Sequence, residues 1–245
     1  MSFAVLFLGA LWAGVQNALA GGGSFITLPA LMLTGMDARA ANITSTVALF
    51  PAQLATGWTG RKHVSGASEL SFRALVIISL VGGALGALLL LSTPPTFFAR
   101  LVPWLVLFAT ALFAWGSFGP KRSARRPLHR FGAAGAQFAI AVYGGYFGGG
   151  IGFLMLAALT AAGLALRNAG ATKNVLAGVM NASAVAIFVF SPAVRWTAAA
   201  IAGTGAIIGG VLGGLMLQKV NERALRLVVV AIGVALTVGL FLRAP

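Results

Sequence analysis

The stretch GGGSFITLPALMLTGMDARAANITST at residues 21–46 has a counterpart, GGIGFLMLAALTAAGLALRNAGATKN, at residues 149–174. A shift of 128 positions aligns glycines of the two stretches, and it also aligns Arg39 with Arg167. A second block follows in each half, because Gly82-Gly83-Ala84-Leu85-Gly86 aligns with residues 209–213 at a shift of 127. Chance matching in a glycine-rich chain would not also align an arginine and two blocks in the same order. The sequence therefore predicts two copies of one unit.

Composition indicates that lipid surrounds most of this protein. Of its 245 residues, 59% are hydrophobic and only 8% are charged, whereas a soluble domain carries about 25% charged residues. A water-facing surface cannot be built from so few charged residues, and we therefore predict an integral membrane protein. The chain has no cysteine, which excludes disulfides and thiolate metal sites.

Each half contains five apolar segments, so the predicted fold class is all-α, with about ten helical segments in two repeats of five. The first repeat covers residues 1–118, a basic cytoplasmic linker covers 119–130, and the second repeat covers 131–245. The segments are 3–20, 24–35, 40–58, 71–91 and 101–118, then 131–147, 151–166, 171–190, 197–217 and 224–242. The second segment of each half is short and follows a glycine cluster. The first two segments of each half are either a re-entrant hairpin with a glycine tip or two full crossings.

The distribution of basic residues predicts the orientation in the membrane. With five segments per half, 13 of the 17 lysines and arginines lie on the side opposite the amino terminus. Basic loops mark the cytoplasmic side, so both termini are predicted to be periplasmic. If the first two segments formed one crossing, the split would be only 10 to 7. An odd number of segments per half inverts the second repeat relative to the first, and substrate is expected near the midplane where inverted repeats meet.

Several motifs resemble the sulfite exporter family TauE/SafE, also called the toluene sulfonate uptake permeases. They are Phe-Ile-Thr-Leu-Pro-Ala-Leu at 25–31, Gly-Met-Asp-Ala-Arg-Ala-Ala-Asn-Ile-Thr-Ser-Thr at 35–46, Ala-Thr-Lys-Asn-Val-Leu at 171–176, and Asn181-Ala-Ser183. The resemblance covers essentially the whole chain. It implies a bacterial inner-membrane transporter of sulfite, a sulfonate or a related organosulfur anion, with substrate and direction varying among members. One departure is Asn-Ile-Thr-Ser at 42–45, where members often have Gly-Thr-Ser.

The two glycine clusters are the first candidate substrate contacts. A helix amino terminus offers free N–H groups and a positive dipole end, and glycine lets an anion approach the backbone. In one interpretation, both helix starts point at a bound anion from opposite sides. In the other, the glycines only allow close helix packing. The candidate residues in these clusters are Gly22, Gly23, Ser24, Gly149 and Gly150.

The third segment of each half supplies the remaining candidates. Polar residues inside a membrane protein usually face its interior and mark substrate pathways. Lys173 is either a charge partner for a sulfonate or a loop lysine that extends to the interface and helps to set topology. Asn181 and Gln53 are expected to be better buried than Lys173. The candidates are Asn42, Thr44, Ser45 and Gln53 in the first half and Thr172, Lys173, Asn174 and Asn181 in the second.

Two further pairs of residues have alternative interpretations. Gln16 and Asn17 precede the first glycine cluster, and they either line the same cavity or bond to neighbouring helices. Arg39 and Arg167 align across the repeat, and we interpret them as interfacial anchors rather than as residues that attract anions to an entrance.

The few acidic residues limit the chemistry. Asp37, Glu69 and Glu222 are the only acids, and all three lie at segment ends or in loops. The sequence therefore predicts no enzyme, no metal site, no cofactor and no mid-membrane carboxylate for proton relay. Export of an anion gains about 2.3 kcal/mol per charge per 100 mV, which favours potential-driven efflux without a coupling ion. The alternatives are a passive anion channel or an importer of the same substrates.

The predicted partners follow from the same features. They are a small anionic substrate and the lipid bilayer, and a homo-oligomer is left open. Nucleic acid is excluded, although the net charge is +14, because the basic residues lie in short loops between apolar segments.

Overall fold

The computed structural model describes residues 3–19, 22–119, 128–216 and 222–243. Regular structure in these ranges is helical, apart from an isolated bridge between Ala67 and Leu70, so the predicted all-α fold class is confirmed. The described residues form ten α-helices: α1 (Phe3–Leu19), α2 (Ser24–Met32), α3 (Ala38–Gly60), α4 (Phe72–Ser92), α5 (Pro95–Phe118), α6 (Arg130–Tyr146), α7 (Ile151–Ala161), α8 (Leu166–Phe188), α9 (Trp196–Met216) and α10 (Glu222–Arg243). Residues 120–127 of the predicted linker lie outside the described ranges.

The second helix of each half is too short to cross a bilayer. α2 has 9 residues and α7 has 11, which gives lengths of about 14 and 16 Å against a hydrocarbon core of about 30 Å. Each packs against the helix before it, α2 on α1 and α7 on α6. These lengths and contacts favour the re-entrant hairpin over two full crossings.

Four of the described helices have the length and hydropathy of membrane spans. They cover Phe72–Ser92, Pro95–Phe118, Arg167–Phe188 and Trp196–Gly213. Large apolar side chains, including Trp58, Trp104 and Trp115, remain exposed on the outer surface. An apolar outer surface of this kind suits lipid rather than water.

Helices of each half pack on helices of the other half. α1 packs on α9 while α6 packs on α4, and α3 packs on α9 while α8 packs on α4. α3 also packs on α8, and α5 on α10. When each helix is replaced by its counterpart in the other half (α1 by α6, α3 by α8, α4 by α9 and α5 by α10), the same set of pairings results. This is expected for two related units packed around a common axis.

Hydrogen bonds at the ends of α3 and α8 give their relative direction. The backbone N–H of Arg195, beyond the end of α8, donates to the Thr44 hydroxyl near the start of α3 at 3.2 Å. The backbone N–H of Ser65, beyond the end of α3, donates to the Thr172 hydroxyl near the start of α8 at 3.1 Å. α3 and α8 therefore run antiparallel, and the repeat-related Thr44 and Thr172 make equivalent contacts.

Glycines bring helices of opposite halves into backbone contact. A Cβ at Gly205, Gly209 or Gly213 of α9 would press on the backbone of Phe7, Leu11 or Val15 of α1, respectively. Because both sets of residues ascend together, α1 and α9 run parallel. Only glycine allows two helix backbones to approach so closely.

Candidate anion-binding site

The two glycine turns have backbone conformations that favour glycine. Gly22 has φ +82°, Gly148 has φ +78° and Gly150 has φ +74°, a left-handed region that costs other residues about 1–2 kcal/mol. Side chains of the preceding helices hold both turns. Gln16 Nε2 donates to the Gly22 carbonyl at 3.1 Å, and the Tyr143 hydroxyl donates to the Gly149 carbonyl at 2.9 Å.

The two turns meet at one small cavity. Its volume is about 60 Å³, small beside the 300–1,000 Å³ of pockets that bind drug-sized ligands. The lining comes from both glycine turns and from the facing helices α3 and α8. The lining residues are Asn17, Gly22, Ser24, Gln53, Thr56, Gly148, Gly150, Ile151, Gly152, Lys173, Asn174 and Ala177.

Lys173 extends from α8 over the first turn of α7. Its Nζ lies 3.7 Å from the point that a Cβ of Gly152 would occupy. The first backbone N–H groups of a helix have no intrahelical acceptor, and the Gly150 carbonyl accepts its bonds from Phe153 and Leu154, further along the chain. The ammonium and the positive end of the α7 dipole therefore converge. Lys173 faces the protein interior from a helix rather than the interface from a loop.

The other lining side chains complement an anion. Among the described residues that line the cavity, Lys173 alone is charged and none is a carboxylate. Asn17, Ser24 and Asn174 add amide and hydroxyl donors to the wall. Donors around one cation, with no carboxylate in the lining, favour a bound anion over a bound cation.

Gln53 and Asn181 lie at equivalent positions of the two halves and contact each other. Asn181 Nδ2 donates to Gln53 Oε1 at 2.5 Å, and 128 positions separate the two residues. Equivalent residues of two related units meet only where the axis relating the units passes close by. Because Gln53 also lines the cavity, the Gln53–Asn181 contact lies beside the cavity. Asn181 is buried but lies outside the cavity lining. Gln53 and Lys173 are both half-buried, so of the two side chains expected to be better buried than Lys173, Asn181 is and Gln53 is not.

Like Asn181, four other predicted contact residues bond to other parts of the bundle instead of lining the cavity. Asn42 Nδ2 donates to the Tyr146 carbonyl at 3.1 Å, and the hydroxyls of Ser45 and Thr27 lie 2.5 Å apart. The hydroxyls of Thr44 and Thr172 accept hydrogen bonds from the backbone N–H groups of Arg195 and Ser65, respectively. Of the two remaining glycine candidates, Gly23 packs against the Ala13 carbonyl and Gly149 accepts the Tyr143 bond. The predicted residues in the lining are Gly22, Ser24, Gln53, Gly150, Lys173 and Asn174.

Some lining residues were not among the predicted contacts. Thr56 follows Gln53 by three positions and so shares its helix face, a signal that was present in the sequence. Gly148 and Gly152 belong to the second glycine cluster. Ala177 lies one helical turn after Lys173, but alanine carries no polar group that would mark it. Asn17 lines the cavity, as in the first interpretation of this pair, while Gln16 bonds to the Gly22 carbonyl of the first glycine turn.

The two repeat-related arginines lie outside this cavity. Arg39 Nη1 donates to the carbonyls of Leu91 at 3.1 Å and Thr93 at 2.8 Å, at the end of α4. Arg167 Nη2 lies 3.1 Å from His63 Nε2. Arg39 also lines a larger pocket of about 660 Å³, together with Arg195, at the start of α3. Arg39 thus links the start of α3 to the end of α4.

Comparison with known proteins relates nearly the whole chain to one family. Residues 6–240 match the family model described as sulfite exporter TauE/SafE. A "Probable membrane transporter protein" of Haemophilus influenzae is 31% identical over 96% of this chain and 92% of its own length. "Probable membrane transporter protein ORF9" of Sinorhizobium sp is 29% identical, with 97% and 91% covered. "Probable membrane transporter protein YfcA" of Escherichia coli K12 is 26% identical, with 96% and 88% covered. No solved structure matches the chain.

Proposed function

Because the chain belongs to the TauE/SafE sulfite exporter family of membrane transporters, we propose that it exports a small sulfur oxyanion through the cavity between its glycine turns. The membership confirms the resemblance inferred from the motifs. The observation that carries the proposal is the Lys173 ammonium above the first turn of α7, in a lining without a carboxylate. This arrangement favours transport of an anion rather than an enzymatic reaction, which needs groups that transfer protons or attack the substrate.

Anion binding at this site would combine three kinds of donor. Lys173 supplies a charge-assisted hydrogen bond, and bonds of this kind contribute about 1.5–3 kcal/mol each. The free N–H groups of the α7 start supply backbone donors, and the Ser24 hydroxyl and the Asn174 amide supply neutral donors. A pyramidal oxyanion presents several acceptor oxygens to such a set of donors.

The volume of the cavity favours the smaller members of the substrate class. At about 60 Å³, it suits a compact anion such as sulfite better than a sulfonate with a long organic substituent. We therefore put sulfite first and short sulfonates second. Export is the proposed direction because the interior-negative potential repels anions from the cytoplasm.

Counterflow in proteoliposomes tests the substrate. Vesicles loaded with unlabelled sulfite are expected to accumulate labelled external sulfite, and protein-free vesicles are not. Excess unlabelled sulfite should compete with the label, taurine and sulfoacetate should compete less, and acetate should not compete. Accumulation of labelled acetate but not of sulfite would contradict the substrate class. A large unitary conductance in planar bilayers would instead indicate a passive channel.

We further propose that the halves are inverted repeats with both termini in the periplasm of the inner membrane. Three features support this orientation: the antiparallel course of α3 and α8, the equivalent packing of each half's helices on the other half, and the bias of basic loops toward one side.

Reporter fusions test the orientation. A periplasm-active reporter fused after Pro245 is expected to give signal, and the same reporter inserted in the basic linker at 119–130 is expected to give none. Alkaline phosphatase activity in intact cells is a suitable measurement. Signal from the linker fusion and silence of the terminal fusion would reverse the orientation and leave the fold unchanged.

A further inference from the structure

Among the residues that the structure describes, Lys173 is the one charged residue of the cavity lining, and no carboxylate accompanies it. The described acidic side chains lie elsewhere: Asp37 accepts the backbone N–H groups of Arg39 and Ala40 at the start of α3, and Glu69 lies in the short turn between Ala67 and Leu70. The described lining offers no carboxylate to Lys173. A bound anion would therefore be the counter-ion of this lysine.

In the described lining, this charge comes from the second half of the chain. The repeat equivalent of Lys173 is Ser45, whose hydroxyl bonds to Thr27 away from the cavity. The Gln53–Asn181 contact between the halves lies beside the cavity. A site between the halves faces both membrane sides in turn during alternating access, so the single ammonium of Lys173 must serve both orientations.

An unpaired charge makes the change of orientation costly. While the site is open to water, the ammonium is hydrated. During the change the site is closed on both sides, and a buried charge without a partner is strongly unfavourable. A bound anion neutralises the ammonium, so the loaded protein passes through the closed state far more readily than the empty one.

We propose that the protein is an obligatory anion exchanger, in which export of one small oxyanion is coupled to entry of another from the opposite side. This inference rests on the proposed function and keeps its direction. It differs from potential-driven efflux without a coupling ion, because the membrane potential does not drive export of an anion that is exchanged for one of equal charge. Each half-cycle carries one anion paired with Lys173. Export then draws on the concentration gradients of both anions, and on the membrane potential only when the outgoing charge exceeds the incoming charge.

Efflux from proteoliposomes tests the exchange. Vesicles loaded with labelled sulfite are diluted into medium containing either unlabelled sulfite or gluconate, with the potential clamped at zero by potassium and valinomycin. External sulfite is expected to accelerate efflux at least about tenfold over gluconate, because a penalty of about 1.4 kcal/mol on the empty state already gives that factor. The variant Lys62→Met removes an exposed lysine outside the cavity and should keep both rates.

The outcomes separate exchange from transport itself. Equal efflux into sulfite and gluconate would overturn the exchange and leave the proposed substrate intact. Efflux into gluconate that is accompanied by net proton movement would also overturn it, because the empty site would then return with a neutral lysine. No flux of sulfite in either medium, with reconstituted protein verified, would overturn the proposed function and the exchange with it.

Discussion

Replacing Lys173 with methionine is expected to weaken sulfite binding by about 10- to 150-fold, because the loss of one charge-assisted hydrogen bond costs about 1.5–3 kcal/mol. Methionine keeps an unbranched side chain of similar length and removes the charge. The remaining donors are neutral, and they cannot balance the charge of an anion taken out of water. Equilibrium binding of labelled sulfite to purified protein in detergent measures the effect.

Two variants make this measurement specific to the charge in the cavity. Lys62→Met removes an exposed lysine of the short 3₁₀ turn Arg61–His63 and should leave the dissociation constant unchanged. Lys173→Arg keeps the charge in a bulkier group and should lie between wild type and Lys173→Met. Wild-type affinity in Lys173→Met, with unchanged thermal stability, would show that the ammonium is no part of the anion site.

The sequence carried enough information to predict the helical architecture. The repeat at a shift of 128 and the apolar segments yielded ten helices, with boundaries within a few residues of those observed for α3 and α4. Apolar periodicity and glycine clusters are local signals, so they can be read without the fold. The choice between hairpins and full crossings needed the lengths of α2 and α7, because the apolar runs of the sequence continue past the ends of these helices.

The candidate site was harder to predict because it depends on which helix face points inward. Asn42 and Gln53 are both polar residues of α3, yet Asn42 bonds to the Tyr146 carbonyl while Gln53 lines the cavity. Membrane helices contain few polar residues, and each either faces a pathway or bonds to a neighbouring helix. Sequence spacing places Gln53 and Thr56 on one face but does not say what that face meets. The approach of Lys173 to the start of α7 is a contact between two helices, which no local pattern contains.

Substitution of Gly209 by alanine is expected to lower the thermal unfolding midpoint in detergent by several degrees, while Gly178→Ala leaves it unchanged or raises it slightly. A Cβ at Gly209 would overlap the backbone carbonyl of Leu11, which cannot move unless α1 and α9 separate. Overpacking of this kind costs about 1–3 kcal/mol, or roughly 2–12 °C in a chain of this size. Gly178, on α8, has no neighbouring atom within 4 Å of such a Cβ, and alanine is the better helix former by about 1 kcal/mol.

The same substitution links packing to the candidate site. α1 ends at the first glycine turn, so moving α1 away from α9 shifts Asn17 and Gly22, which line the cavity. Gly209→Ala is therefore expected to weaken sulfite binding as well as stability. The repeat-related Gly82→Ala should also be destabilising, because its Cβ would press on Ala141 of α6. Equal midpoints for Gly209→Ala and Gly178→Ala would mean that α1 and α9 do not meet backbone to backbone. Packing of α1 on α9 would then not be what positions the first glycine turn.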